Sequence, residues 1–228
     1  MSELLSIVGL SAKVAGKSVL NQVNLSLPPA QIMAVYGANG GGKSSLAQVL
    51  LGNPDYEVSG GEITFIGSDL LKLSVEARAK AGLYIAWQNP VTIPGVSVFA
   101  LCKTAYEAQG GKITSLSEFK RRLEELATEV GLTASHISRF VNDGFSGGEK
   151  KRLELLQILL LKPKIVVLDE IDSGLDKNGR ELIVEVIKKL KEMGSSLIII
   201  SHYEQLIEKL NAELVMEMKN GQLLPRIS

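Results

Sequence analysis

No stretch of this chain limits its possible folds more than Tyr36-Gly37-Ala38-Asn39-Gly40-Gly41-Gly42-Lys43-Ser44-Ser45. The apolar run Ile32-Met33-Ala34-Val35-Tyr36 precedes it and Leu46-Ala47-Gln48-Val49-Leu50-Leu51 follows. The pattern predicts a buried strand, a glycine loop and a helix, with Gly37-x-x-x-x-Gly42-Lys43-Ser44 at the junction. In that context the glycines let backbone N–H groups wrap the oxygens of a triphosphate, because no Cβ blocks the approach. The helix starts at the phosphates, so its unpaired N–H groups and its dipole favour the same anion. Lys43 is placed to reach the β- and γ-phosphates and the Ser44 hydroxyl to bind Mg²⁺.

The rest of the composition narrows the setting. The formal net charge is zero, from 25 basic and 25 acidic residues, which gives no general pull toward nucleic acid or anionic membrane. Apolar runs such as Ile165–Leu168 and Leu197–Ile200 are strand-length, far below the ~20 residues of a membrane span. Met1-Ser2-Glu3-Leu4-Leu5 lacks the layout of a secretory signal. The single cysteine, Cys102, excludes an intrachain disulfide and a multi-thiol metal site, and reads as a small buried side chain. A protein of the cytoplasm, or of an equivalent organelle stroma, is expected.

Along the chain, Leu4–Ser11 and Val19–Leu27 read as strands punctuated by Asn21 and Pro28-Pro29. With no helix between them, they predict an antiparallel β portion beside the nucleotide site. Gly60-Gly61 introduces a strand over 62–66, Ser74–Lys80 reads as a helix, and Leu83–Trp87 as a strand ending at Gln88. Asn89-Pro90 and Ile93-Pro94-Gly95 read as loop, and Ser97–Gln109 and Leu116–Val130 as helices. In the second helix Phe119, Leu123, Leu126, Ala127 and Val130 share one face, and the charges opposite are a solvated face. Later, Gly147–Leu161, Lys177–Met193 and Tyr203–Leu210 read as helices, alternating with strands over 164–168, 196–200 and 213–218; Asn220-Gly221 is a turn before a short tail. The expectation is a single α/β domain over 1–228 with a mostly parallel sheet. Residues 1–89 and 146–228 form the nucleotide-binding core with its β subdomain, and 90–145 a helical insertion.

Ligands of open parallel sheets bind at the carboxyl ends of strands. Ile165-Val166-Val167-Leu168-Asp169-Glu170 ends in two carboxylates there. Asp169 is expected to hold Mg²⁺ through water, and Glu170 to act as base or orienting group for the attacking water. His202 ends the strand over 197–201 and is assigned to the γ-phosphate; Gln88, at another strand tip, is assigned to the metal or the water. His136 has no companion in the sequence and reads as structural. Ser146-Gly147-Gly148-Glu149 opens a second helix whose N–H groups seek an anion, for which the γ-phosphate bound to another copy of the chain is a candidate. Lys150, Lys151 and Arg152 oppose that helix's dipole and are expected to pair with Glu149, Glu170 or Asp172; Lys151 is expected to hold Glu170 out of productive geometry until ATP arrives.

Together these residues resemble the ATP-binding-cassette ATPases over nearly the whole chain. Gly37, Ala38, Asn39, Gly40, Gly41, Gly42, Lys43, Ser44 and Ser45 are similar to Walker A, Ile165–Glu170 to Walker B, and Ser146-Gly147-Gly148-Glu149 to the signature motif. Ser173-Gly174-Leu175-Asp176 resembles the D-loop, Gln88 the Q-loop and His202 the switch histidine. The resemblance implies a P-loop fold of ABC type, ATP and Mg²⁺ as cofactors, and a transient head-to-tail homodimer. Each site would join the Walker motifs of one copy to the signature of the other.

A narrower resemblance is to the SufC family, the soluble cassette ATPases of Suf iron–sulfur cluster assembly. It rests on Tyr56–Gly61, on Gln88-Asn89-Pro90 with Ile93–Ser97, on Asn142–Arg152, and on Asp169–Asp176. That resemblance implies SufB- and SufD-like scaffold partners docked on the helical insertion. Ala38 and Ser45 depart mildly from the family pattern, no aromatic stands in Val14–Lys17 to stack on adenine, and the stretch after Gly221 is shorter than the family's tail. A membrane transporter's ATP-hydrolysing subunit is the alternative reading, and a nucleotide-gated clamp that barely hydrolyses is a third.

Overall fold

The computed structural model describes residues 3–86, 90–171, 173–201 and 203–226. Strands β1 (Leu5–Val14), β2 (Lys17–Leu27) and β3 (Ile32–Tyr36) are followed by helix α1 (Lys43–Leu51), strands β4 (Tyr56–Phe65) and β5 (Ser68–Asp69), helix α2 (Val75–Ala81) and strand β6 (Leu83–Ala86). Then come β7 (Ile93–Ser97), helices α3 (Val98–Ala108), α4 (Leu116–Glu129) and α5 (Ala134–Ser138), and β8 (Phe140–Val141). The remainder alternates α6 (Gly147–Leu161), β9 (Ile165–Asp169), α7 (Lys177–Glu192), β10 (Ser196–Ile200), α8 (Glu204–Leu210), β11 (Leu214–Lys219) and β12 (Gln222–Pro225).

The unbroken apolar runs pair as the sheet they predict. Six strands lie in the order β12-β11-β3-β10-β9-β6, parallel except for the β11–β12 hairpin. Both faces are covered, so strict alternation of polar and apolar residues is absent while the pleat still sorts side chains by face. Val166, Leu168, Leu197 and Ile199 join the core shared with α3, α4, α6 and α7. Their neighbours Ile165, Val167, Ile198 and Ile200 join the core under α1 and the antiparallel strands. Each such side chain, fully buried, contributes about 1.5–3 kcal/mol of transfer free energy. A second, four-stranded antiparallel sheet runs β2-β1-β4-β5. An antiparallel subdomain and a helical stretch between β6 and β9 thus flank the parallel sheet, as the expected P-loop architecture requires. No helix among the described residues is long and apolar enough to cross a membrane.

Several details differ from the sequence expectation. Asn21 makes no turn between strands; it sits inside β2 beside Gln22, at φ 52°, where the register with β1 shifts. Gly60 and Gly61 lie within β4, which begins at Tyr56. The stretch Ile93-Pro94-Gly95, expected as loop, is strand β7, paired with β8 through Ile93 and Val141. Proline is tolerated there because a two-stranded ribbon has open edges. The tail after Asn220-Gly221 folds back as β12.

Candidate functional site

The loop after β3 leads directly into α1, whose N-cap is Gly42 at φ 112° with no side-chain cap. The first turn of α1 therefore presents main-chain N–H groups to whatever the loop encloses, the arrangement that suits phosphate. The cradle is set by contacts no local pattern announces. A Cβ on Gly37, at φ 143°, would lie 2.1 Å from the Met218 carbonyl oxygen in β11. Gly41 O accepts from Gly221 N at 2.8 Å, and Gly221 O in turn accepts from Asn21 N at 2.8 Å. Asn21 Nδ2 also donates to Asn220 O at 2.9 Å. The two turn signals of the sequence thus meet behind the glycine loop and brace it from the far ends of the chain.

Lys43 is 5% exposed, and its Nζ donates to Gly37 O at 2.9 Å and Ala38 O at 3.1 Å. Burial lowers the ammonium below its ordinary value, while the Glu170 and Asp169 carboxylates oppose that shift. A cleft of about 470 Å³ opens here, lined by Val19, Asn39, Gly40, Lys43, Ser44 and Glu170 among others. The structure thus brings Asn39, Gly40, Gly42–Ser45 and Glu170, expected on separate grounds, to one cavity. Asp169 ends β9 and is buried; Glu170 follows it at φ 51°, a conformation that costs a non-glycine residue roughly 1–2 kcal/mol and re-aims its side chain. Glu170 N donates to Ile200 O at 2.9 Å, tying the tips of β9 and β10. Gln88, His202 and Asp172 lie outside the described residues. The Ser44 hydroxyl and the Asp169 carboxylate are hard oxygen donors, and so fit a magnesium ion that completes its shell with phosphate and water.

The second anion-seeking element is α6. Ser146 Oγ accepts from Glu149 N at 3.2 Å and Glu149 Oε2 accepts from Ser146 N at 2.8 Å, a reciprocal cap. That cap satisfies the third helical N–H, while Gly147 and Gly148, at the first two positions, have no intrahelical acceptor. The Ser146 N–H, and then the His136 ring, hold the Glu149 carboxyl down at about 2. His136, read from sequence as lacking companions, sits in α5 with Nε2 3.1 Å from Glu149 Oε1.

Two of the cations of α6 reach main-chain oxygens that the sequence does not point to. Lys151, 6% exposed, donates to Glu170 O at 3.3 Å, to Ser173 Oγ at 2.9 Å and to Ser173 O. Arg152 Nη1 donates to Val130 O at 2.8 Å, capping the end of α4. Most of these bonds go to main-chain oxygens, while Asp172, one of the expected carboxylate partners, lies outside the described residues. Lys151 thereby joins α6 to the exposed loop of Ser173, Gly174, Leu175 and Asp176, whose last member caps α7 through Gly179 N at 2.8 Å. Ser146, Gly147, Ser173 and Gly174 are all exposed.

The chain is similar to known proteins over most of its length. The family model described as ABC transporter matches residues 20–173. "Probable ATP-dependent transporter ycf16" of Pyropia yezoensis is 42% identical over 226 residues, covering 97% of this chain and 90% of that protein. "Probable ATP-dependent transporter slr0075" of Synechocystis sp. is 38% identical over 225 residues, covering 97% and 88%. The solved structure of an ATP binding subunit of an ABC transporter superposes with a TM-score of 0.83 at 25% identity, over 96% of this chain and 88% of that one. The dimeric post-hydrolysis state of the ATP-binding cassette MJ0796, bound to ADP and Pi, shares the fold at TM-score 0.83 and 19% identity, over 96% of each chain.

Proposed function

The chain belongs to the ABC transporter family and is an ATPase, and from that premise we propose that its magnesium-dependent hydrolysis powers iron–sulfur cluster assembly on a SufB/SufD-like scaffold. ATP-driven head-to-tail dimerisation would transmit the work, in the cytoplasm or an organelle stroma. One observation carries the narrower reading. Two of the stretches that resemble the SufC family, Ile93–Ser97 and Asn142–Arg152, are joined where the first meets the start of the second. Asn142 Nδ2 donates to Val91 O at 2.7 Å, Thr92 Oγ1 donates to Asn142 O at 3.4 Å, and β7 pairs with β8. That junction leads directly into the signature segment, as a scaffold site on the insertion over 90–145 requires.

In the reaction we assign, Lys43 and the N–H groups of Gly37–Ser45 grip the β- and γ-phosphates. Ser44 and Asp169, with Gln88, would hold magnesium, which neutralises phosphate charge when bound. Glu170 accepts the proton of the attacking water, and His202 donates to the γ-phosphate. Ser146, Gly147, Gly148 and Glu149 close on the nucleotide of the second copy, with Ser173–Asp176 along the seam. Because each site draws on two copies, hydrolysis and dimerisation are one cycle.

The names of the relatives favour a second reading, the ATP-hydrolysing subunit of a membrane transporter. Affinity capture from native lysate separates the two. Recovery of soluble scaffold proteins carrying iron–sulfur clusters supports the assembly role, and membrane permeases as the only partners would overturn it.

A further inference from the structure

We propose that His136 is a positioning residue for the signature loop, acting through Glu149 as a neutral imidazole with its proton on Nε2. The inference rests on the ATP-driven closure assigned above, but the geometry beneath it is independent of that reading.

The tautomer follows from both ends of the ring. Thr133 N donates to His136 Nδ1 at 3.1 Å, so Nδ1 is the acceptor. The Thr133 hydroxyl lies 2.7 Å from the same nitrogen and can donate to it as well. Nε2 lies 3.1 Å from Glu149 Oε1, and an ionised carboxylate only accepts. Nε2 therefore carries the proton and donates it to Glu149. The other oxygen of that carboxylate, Oε2, receives the Ser146 N–H. One carboxylate thus links α5 to the first residue of the signature loop.

The rest of the loop is held from the same short helix. The His136 ring meets Phe145 edge to face at 5.1 Å between centroids, and the Arg139 guanidinium lies over Phe145 at 4.5 Å. Arg139 Nη2 donates to Asp143 O at 3.0 Å and Gly144 O at 2.9 Å. Residues 143–146 are thereby gripped by His136 of α5, through the Phe145 ring and the Glu149 carboxylate, and by Arg139 at the end of α5, through main-chain oxygens and the same ring. The direction in which the Gly147 and Gly148 N–H groups point is set by where α5 sits. Displacement of α5 by a bound partner turns those donors toward or away from the second copy's nucleotide. His136 touches no nucleotide itself.

Three measurements test this. The first uses the wild-type protein with ¹⁵N-labelled histidine, where only two residues give imidazole signals. At neutral pH, the residue lost in His136→Gln must show a protonated Nε2 and a bare Nδ1; a protonated Nδ1 overturns the proposal, whether or not the protein hydrolyses ATP. The second compares His136→Leu with His136→Gln, whose amide nitrogen replaces Nε2 as donor. His136→Leu is expected to lower dimer-dependent ATPase about tenfold, the worth of one hydrogen bond to a charged group. Binding of ATP to the isolated protomer should stay at the wild-type value, and His136→Gln should restore most of the activity. Wild-type activity in His136→Leu, or equal loss in both variants with weakened protomer binding, overturns it. The third adds Glu149→Gln to His136→Leu; the paired loss should match the larger single loss, and additive losses refute action through Glu149. Should His136→Leu fail to fold, the tautomer measurement still decides.

Discussion

Arg78 offers a sharp test of how the nucleotide loop is held in place, because it anchors the far end of the helix that carries Lys43. Its side chain is 5% exposed, and its Nη1 donates to Val49 O at 2.9 Å and Leu50 O at 2.7 Å, the last turn of α1. Nε donates to Leu73 O at 3.0 Å, and Gly52, whose Cβ would lie 2.9 Å from the guanidinium carbon, leaves the space. A cation at a helix C-terminus also meets the negative end of the dipole. In Arg78→Met, Val49 O keeps its bond from Gly52 N at 3.1 Å, while Leu50 O and Leu73 O lose the arginine. One buried and one part-buried carbonyl at about 1–3 kcal/mol each, less the relief of no longer desolvating a charge, give a loss of about 3 kcal/mol. For a chain of this length that lowers the melting temperature by roughly 6–12 °C. Urea denaturation should show the midpoint falling with an unchanged slope. Arg78→Lys, which keeps the charge but not the fork, should recover about half. A change below about 0.5 kcal/mol in Arg78→Met, the range of ordinary surface substitutions, would refute the reasoning.

Gly37→Ala should cost at least about 2 kcal/mol and weaken ATP binding, since the new Cβ meets the Met218 carbonyl; Gly40→Ala, at φ 77° with nothing within 4 Å, should cost only about 1–2 kcal/mol. Calorimetric titration and thermal melts of the pair check this. Glu149 favours its ionised form in the folded state, at about 2 against an ordinary 4.5. Its contribution is therefore present above about pH 4.5 and drains as pH falls toward 2. Glu149→Gln should be less stable than wild type near neutrality and converge with it in acid, as read by urea midpoints across that range. Burial pushes the Cys102 thiol up to about 12, so native protein should react with a thiol reagent only as fast as it opens. Rapid labelling without unfolding would contradict that burial.

What the sequence made legible is what short-range physics encodes. Ile32–Tyr36, Gly147–Leu161 and Ser196–Ile200 form where expected, because unbroken apolar runs and a Ser-x-x-Glu cap act within a few residues. Asn39, Gly40, Gly42–Ser45 and Glu170 were expected on separate grounds and line one cleft. The bracing of that cleft was not legible. Asn21 and Asn220-Gly221 read as independent turns, yet they meet through a hydrogen bond that spans 199 residues. β7 was hidden by Pro94-Gly95, a true breaker signal overridden by pairing with β8. His136 looked structural because its partner Glu149, 13 residues on, is reached only once α5 folds back. The bonds of Lys151 and Arg152 to main-chain oxygens were not legible either; no sequence pattern marks a carbonyl as an acceptor.

The whole account depends on the glycine cradle and its buried lysine gripping a triphosphate, and isothermal titration of Lys43→Ala with ATP and magnesium addresses that grip itself. Two lost charge-assisted bonds to the phosphates should weaken affinity roughly a hundredfold. Wild-type affinity in Lys43→Ala would contradict the assignment of this loop as the seat of the nucleotide.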